Sequence, residues 1–138
     1  MGSEPLILLD SHALVWLASD DERLGRRARA TTDRSLVDGK LAVSAISFWE
    51  IALLVVKRRL ELGRPPRAWR DGLLDGGLLE IKVDGDIAIA AAQLGDFHDD
   101  PADRFIVATA SVTGATLLTT DQRILDWTGS LRRQDAAE

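Results

Sequence analysis

Residues 6–19 read LILLDSHALVWLAS. Leu6, Ile7, Leu8 and Leu9 form an unbroken apolar run that stops at Asp10. A run this short reads as a buried strand. Ala13, Leu14, Trp16 and Leu17 follow, and they predict a helix starting near Ser11. Asp10 stands at the junction. A charge placed directly after four buried apolar residues is costly unless something pairs with it.

The same alternation continues outward. SDDE at 19–22 has the capping-box form and predicts a second helix running towards LVDG at 36–39, closed by Gly39. LAVSA at 41–45 reads as the next strand. SFWE at 47–50 repeats the capping-box pattern ahead of IALLVVKRRL, a helix with an apolar body and a basic end. GRPP at 63–66 breaks the chain, and RAWRDGLLDGG reads as a short helix closed by Gly76 and Gly77. LLEIKV at 78–83 reads as a short strand, and DIAIAAAQLG at 86–95 as a helix of small residues. Asp100 and Pro101 suit the N-cap and first position of a helix ending at Gly114. ATLLTT at 115–120 is a further strand, QRILDW a last short helix, and the polar ends at 1–4 and about 132–138 are expected to fray. Strands alternating with helices imply an α/β fold with a mainly parallel central sheet flanked by helices, formed as one domain over residues 1–138.

Composition narrows the function. The chain has 138 residues, 46% hydrophobic and 28% charged, which is globular usage. Neither a membrane-spanning run nor a secretory leader is read from it. With no cysteine there is no disulfide, thiolate metal site or cysteine nucleophile, in keeping with a cytoplasmic protein. Net charge is -5, so nucleic-acid binding would need local basic patches. RLGRRAR at 23–29 and KRRLELGRPPRAWR at 57–70 are the candidates; solvated helix faces are the plainer alternative.

Two predicted strands end in an acid, at Asp10 and Asp121, and two predicted helices carry one in the first turn, Glu50 and Asp103. In a parallel α/β sheet these positions share one edge. Four carboxylates gathered there would repel each other unless their pKa values rise or a cation binds. Oxygen-only ligands favour a hard ion such as Mg2+ or Mn2+. Each residue also has a plainer role. Glu50 could close a capping box, Asp103 complement a helix dipole and Asp121 occupy a turn.

These segments together resemble the PIN-domain ribonucleases, specifically the VapC-type toxins of bacterial type II toxin–antitoxin pairs. LILLDSHALVWL resembles the opening strand, first acid and hydroxyl residue of that family. VSAISFWEIALLVVKRRLEL resembles its W-E segment, and LGDFHDDPADRFIVATASVTGATLLTTDQRIL its D-P-x-D-R helix, following strand and terminal T-x-D-type acid. The resemblance implies a three-layer PIN-like fold. It implies metal-site acids at Asp10, Glu50, Asp103 and Asp121, with Asp103 rather than Asp100 in the acidic position. It implies a supporting hydroxyl at Ser11, where Thr is commoner, Thr120 ordering the last acid, and Arg104 contacting a phosphate or another side chain. It implies RNA as substrate, a homodimer, and a cognate VapB-type antitoxin that covers the site, giving a toxin–antitoxin hetero-oligomer.

The expected chemistry is hydrolysis of an RNA phosphodiester, supported by one or two Mg2+ or Mn2+ ions at the four acids. His12 is expected to pack or hydrogen-bond, His98 to position the turn before Asp100, and the four tryptophans to lie mostly in the core. The rival readings are a catalytically silent PIN-like scaffold and a phosphorelay receiver domain. The receiver needs a Lys after a late strand, and LLTTD offers none there.

Overall fold

A computed structural model describes residues 4–138. The expected fraying of residues 1–3 lies outside the described residues. The elements run β1 (Ile7–Leu9), α1 (Ser11–Ala18), α2 (Arg26–Val37), β2 (Leu41–Ser44), α3 (Ala45–Val56) and α4 (Pro66–Asp75). They continue with β3 (Leu79–Ile81), α5 (Gly85–Ala92), α6 (Pro101–Thr113), β4 (Thr116–Thr119), α7 (Gln122–Leu125) and β5 (Arg133–Asp135). The five strands form one sheet in the order β3-β2-β1-β4-β5, and every pairing is parallel. β1 is the centre, with Leu9 opposite Val43 on one side and Leu118 on the other.

The continuous apolar strands follow from burial on both faces. Leu9, Val43 and Leu118 point into a core built with Ala13 and Leu14 of α1, Ala28 of α2 and Ile51 of α3. Their neighbours Leu8, Ala42 and Leu117 point the opposite way, against Ile106, Val107 and Ala110 of α6 and Ile124 of α7. Helices therefore cover the sheet on both sides, giving the expected three layers. None of the helices among the described residues is long and apolar enough to cross a membrane.

Several boundaries differ from expectation. Ser19 opens no helix. It caps the end of α1, where its hydroxyl donates to the Val15 carbonyl, and Asp20 turns the chain at φ 53°. α2 starts later, at Gly25, whose N–H donates to the Ala136 carbonyl. A Cβ at Gly25 would collide with the Glu138 backbone, so a glycine is needed there. α3 starts at Ser44, the last residue of β2, and not at Ser47. It stops at Val56, with Arg58 at φ 58°, so the basic end KRR lies beyond the helix.

The expected fraying of residues 132–138 is wrong. Arg133–Asp135 pair with β4, Ala136 is fully buried, and Arg27 and Ala28 donate their N–H groups to the main-chain oxygen of Glu138. The orphan donors at the start of α2 are satisfied by this segment. Trp49 also departs from expectation: it is 52% exposed, while Trp16, Trp69 and Trp127 pack against the two cores.

Candidate active site

All strands point the same way, so their carboxyl ends and the starts of the following helices share one edge. A cleft of about 340 Å3 opens there, lined by Asp10, Glu50, Asp103 and Asp121 together with Ser11, His12, Asp100, Thr120, Gln122 and Arg123. The four acids singled out in the sequence thus face one cavity.

Asp10 ends β1 and caps α1, accepting from the Ala13 N–H at 2.8 Å through Oδ1. Its Oδ2 accepts from the Thr119 hydroxyl at 2.6 Å and the Thr120 N–H at 2.9 Å. Burial pushes the Asp10 carboxyl above its ordinary value, against the pull of these donors. Glu50 lies in the second turn of α3 because that helix starts at Ser44, so capping does not occupy it. Burial raises its pKa, the nearby Ser11 hydroxyl lowers it, and the charges of Asp100 and Asp10 raise it again.

Asp103 sits in the first turn of α6, behind the Asp100 cap, which accepts the Asp103 N–H at 3.1 Å. Its carboxyl is pushed up to about 6 by burial, with Asp100 and Asp121 adding to the rise and the His98 hydrogen bond opposing it. Asp121 caps α7. Partial burial pushes its pKa up, but the Arg123 guanidinium, at 2.8 Å, and the Arg123 N–H bring it below the usual range.

The PIN domain matches residues 7–128. The chain belongs to the PIN-domain family. It is 34% identical over 119 residues to ribonuclease VapC22 of Mycobacterium tuberculosis, an alignment that spans 86% of this chain and 88% of that protein. The fold resembles VapBC2 from Rickettsia felis bound to a promoter DNA fragment, with a TM-score of 0.72 at 16% identity over 94% of this chain and 97% of that one. It also resembles DNA-bound VapBC from Salmonella typhimurium, with a TM-score of 0.69 at 17% identity over 96% of this chain and 98% of that one. Membership of the family displaces the receiver-domain reading.

Within this PIN domain the supporting residues are partly rearranged. Ser11 is buried, with its hydroxyl oxygen 3.0 Å from that of Ser47 in a hydrogen-bonded pair. Thr120 orders the first acid rather than the last. The last is ordered by Thr119, whose hydroxyl accepts the Asp121 N–H at 3.0 Å while donating to Asp10. Arg104 meets neither the cleft nor another acid. Its guanidinium donates to backbone carbonyls at the end of α5 and in the α5–α6 connection, and the side chain it meets is Phe97, over whose ring it lies. His12 is exposed at the cleft wall.

Sequence reasoning missed Thr119 and Arg123, and gave His98 only the positioning of a turn. The pair TT before the last acid was a signal for Thr119. Arg123 was not signalled, because its contact with Asp103 depends on how α6 and α7 are packed, and the His98 contact depends on how the α5–α6 connection folds. The donor set suits a hard divalent cation. Five carboxylates line the cleft, Asp100 among them, and neighbouring negative charge adds to the burial that raises the pKa of both Asp103 and Glu50. The closest group is His98, Asp103 and Asp121, whose ligand atoms lie within 4.8 Å of one another.

Proposed function

We propose that this protein is a metal-dependent endoribonuclease, a single PIN domain acting as the toxin of a cytoplasmic toxin–antitoxin pair. The observation that carries the reading is the convergence of Asp10, Glu50, Asp103 and Asp121 on one cleft at the carboxyl edge of the sheet. The likeness to a protein named a ribonuclease supports the substrate class.

Mg2+ or Mn2+ held by Asp10, Asp103, Asp121 and Glu50 would supply Lewis-acid polarisation of the phosphate and a lowered pKa for water. The chain's own residues do the rest. Thr119 and the Thr120 N–H hold Asp10 in one orientation, so its position needs no reorganisation during the reaction. Arg123 lines the cleft with a largely exposed side chain and offers positive charge to a phosphate. A second hollow shares Ser11 and His12 with the cleft and carries Arg23, Arg59 and Trp16. It provides a basic approach for RNA that the net charge alone would not.

The partners follow as further proposals: a VapB-type antitoxin over the cleft, and a homodimer of this chain. Solved neighbours named as VapBC pairs support the first. The scaffold reading is opposed by the presence of all four acids on one cleft. The test is RNA cleavage in Mg2+, in EDTA, and with Asp10→Asn. Loss of cleavage in both the chelated and mutant samples is expected; cleavage that survives both sinks the proposed site.

A further inference from the structure

Asp103 is gripped at one oxygen. Both side-chain donors that reach it, His98 Nε2 at 2.7 Å and Arg123 Nη2 at 3.4 Å, do so at Oδ2. His98 belongs to the connection between α5 and α6, a segment without regular structure of its own. Such segments move unless tied down.

Most of the side-chain bonds that tie this one come from Arg104. The Arg104 guanidinium donates to the carbonyls of Ala91, Ala92, Leu94, Phe97 and His98. It also lies 5.9 Å from the Phe97 ring centroid, and Phe97 in turn stacks on the His98 imidazole with centroids 4.2 Å apart. Trp127 meets Phe97 edge-on and donates its Nε1–H to the Gly95 carbonyl. The backbone of His98 and the plane of its ring are therefore both fixed from outside the cleft. Its side chain is 19% exposed.

We propose that Arg104 and His98 form a positioning device for Asp103. Arg104 folds the α5–α6 connection, and His98 holds one carboxylate oxygen so that the other is presented to the cation. The proposal rests on the metal-site reading above. A carboxylate ligand with a free side chain must be ordered when the cation binds; one already hydrogen-bonded at one of its oxygens need not be. Losing a partner of this kind typically weakens metal binding about 10- to 100-fold. Neither residue is a catalytic residue in this scheme, since each acts through Asp103.

The test is Mn2+ titration of the full chain, read from the electron paramagnetic resonance signal of free Mn2+. His98→Leu keeps apolar bulk against Phe97 but loses the donor. It should weaken Mn2+ binding about 10-fold or more, with little change in the metal-free melting temperature. His98→Gln, whose amide N–H reaches as far as Nε2, should recover most of the affinity. His98→Asn is too short to reach Asp103, and it should weaken binding to the same extent if the leucine variant does not fold. Arg104→Lys should also weaken binding, because one ammonium cannot serve five carbonyls. Spin-echo spectra of the Mn2+-loaded protein should show no directly bonded imidazole nitrogen. Wild-type affinity in folded His98→Leu or His98→Asn, or a directly bonded nitrogen, would overturn the proposal alone. An unmodified chain that binds no Mn2+ would overturn the metal-site reading as well.

Discussion

Asp10 is 4% exposed, and its carboxylate is tolerable there because the Ala13 N–H, the Thr119 hydroxyl and the Thr120 N–H donate to it. Thr119 matters most among these, since its hydroxyl donates to Asp10 and accepts from the Asp121 N–H. Thr119→Val keeps the shape and removes both bonds. It should cost about 1–3 kcal/mol, seen as a lower melting temperature, and should weaken metal binding too. An unchanged melting temperature would show that the Asp10 carboxylate does not depend on this donor. Asp103 gives a pH dependence. Its folded pKa, about 6, lies above the ordinary 3.8, so between those values the native chain keeps a proton that the unfolded chain has lost. Without metal, the contribution of Asp103 to stability therefore falls as pH rises through that window and stays low above it. A cation needs the ionised form, so its binding should weaken as pH drops below about 6. Millimolar Mg2+ or Mn2+ should raise the melting temperature clearly near pH 7.5 and hardly at all near pH 5. Equal shifts at both would take Asp103 out of the ligand set.

At the scale of elements, the helix starts divide the acids by role. Asp100 caps α6 by accepting the Asp103 N–H, and Pro101 takes the first helical position, as the sequence predicted. Asp100→Ala should cost about 1 kcal/mol, as the loss of an N-cap usually does, and leave most of the metal-induced melting shift. Asp103→Ala should abolish that shift. Equal losses from the two would undo the division. Gly114, at φ 72°, ends the same helix where its position in the sequence placed the stop. The capping boxes at Ser19 and Ser47 were misleading because the pattern is local and the competing cap is not. α3 continues directly from β2, so Ser44 caps it and Glu50 is carried past the capping position into the cleft. At Ser19 the positive φ of Asp20 and the docking of Glu138 against Gly25 moved the helix start to the other side of a turn. Neither contact is written in the four residues of the box. The acids themselves were legible because three of them sit at strand ends or at a proline-led helix start, where local pattern and topology coincide.

For the whole molecule, β5 is the element the sequence concealed. RQD has no apolar alternation, and the strand is held mainly through its backbone: Leu117, Leu118 and Thr119 of β4 stand opposite Arg133, Gln134 and Asp135. Binary pattern cannot see such an edge strand. Its position gives it consequences at a distance. The Ala136 N–H donates to the Thr119 carbonyl, the Gly25 N–H donates to the Ala136 carbonyl, and Glu138 accepts from Arg27. Residues 133–138 thus join the end of β4, which carries Thr119 and leads to Asp121, to the start of α2 on another part of the sheet. Truncation after Arg132 would expose the β4 edge, unpair the first N–H groups of α2 and remove the buried Ala136. Because the Thr119 carbonyl loses its partner on the same residue whose hydroxyl holds Asp10, the damage should reach the cleft. The truncated chain should melt at a lower temperature than the full chain and show a smaller melting shift with Mn2+. A lower melting temperature with the full Mn2+ shift retained would confine β5 to a stabilising role. An unchanged melting temperature would mean that the segment is no part of the cooperative fold.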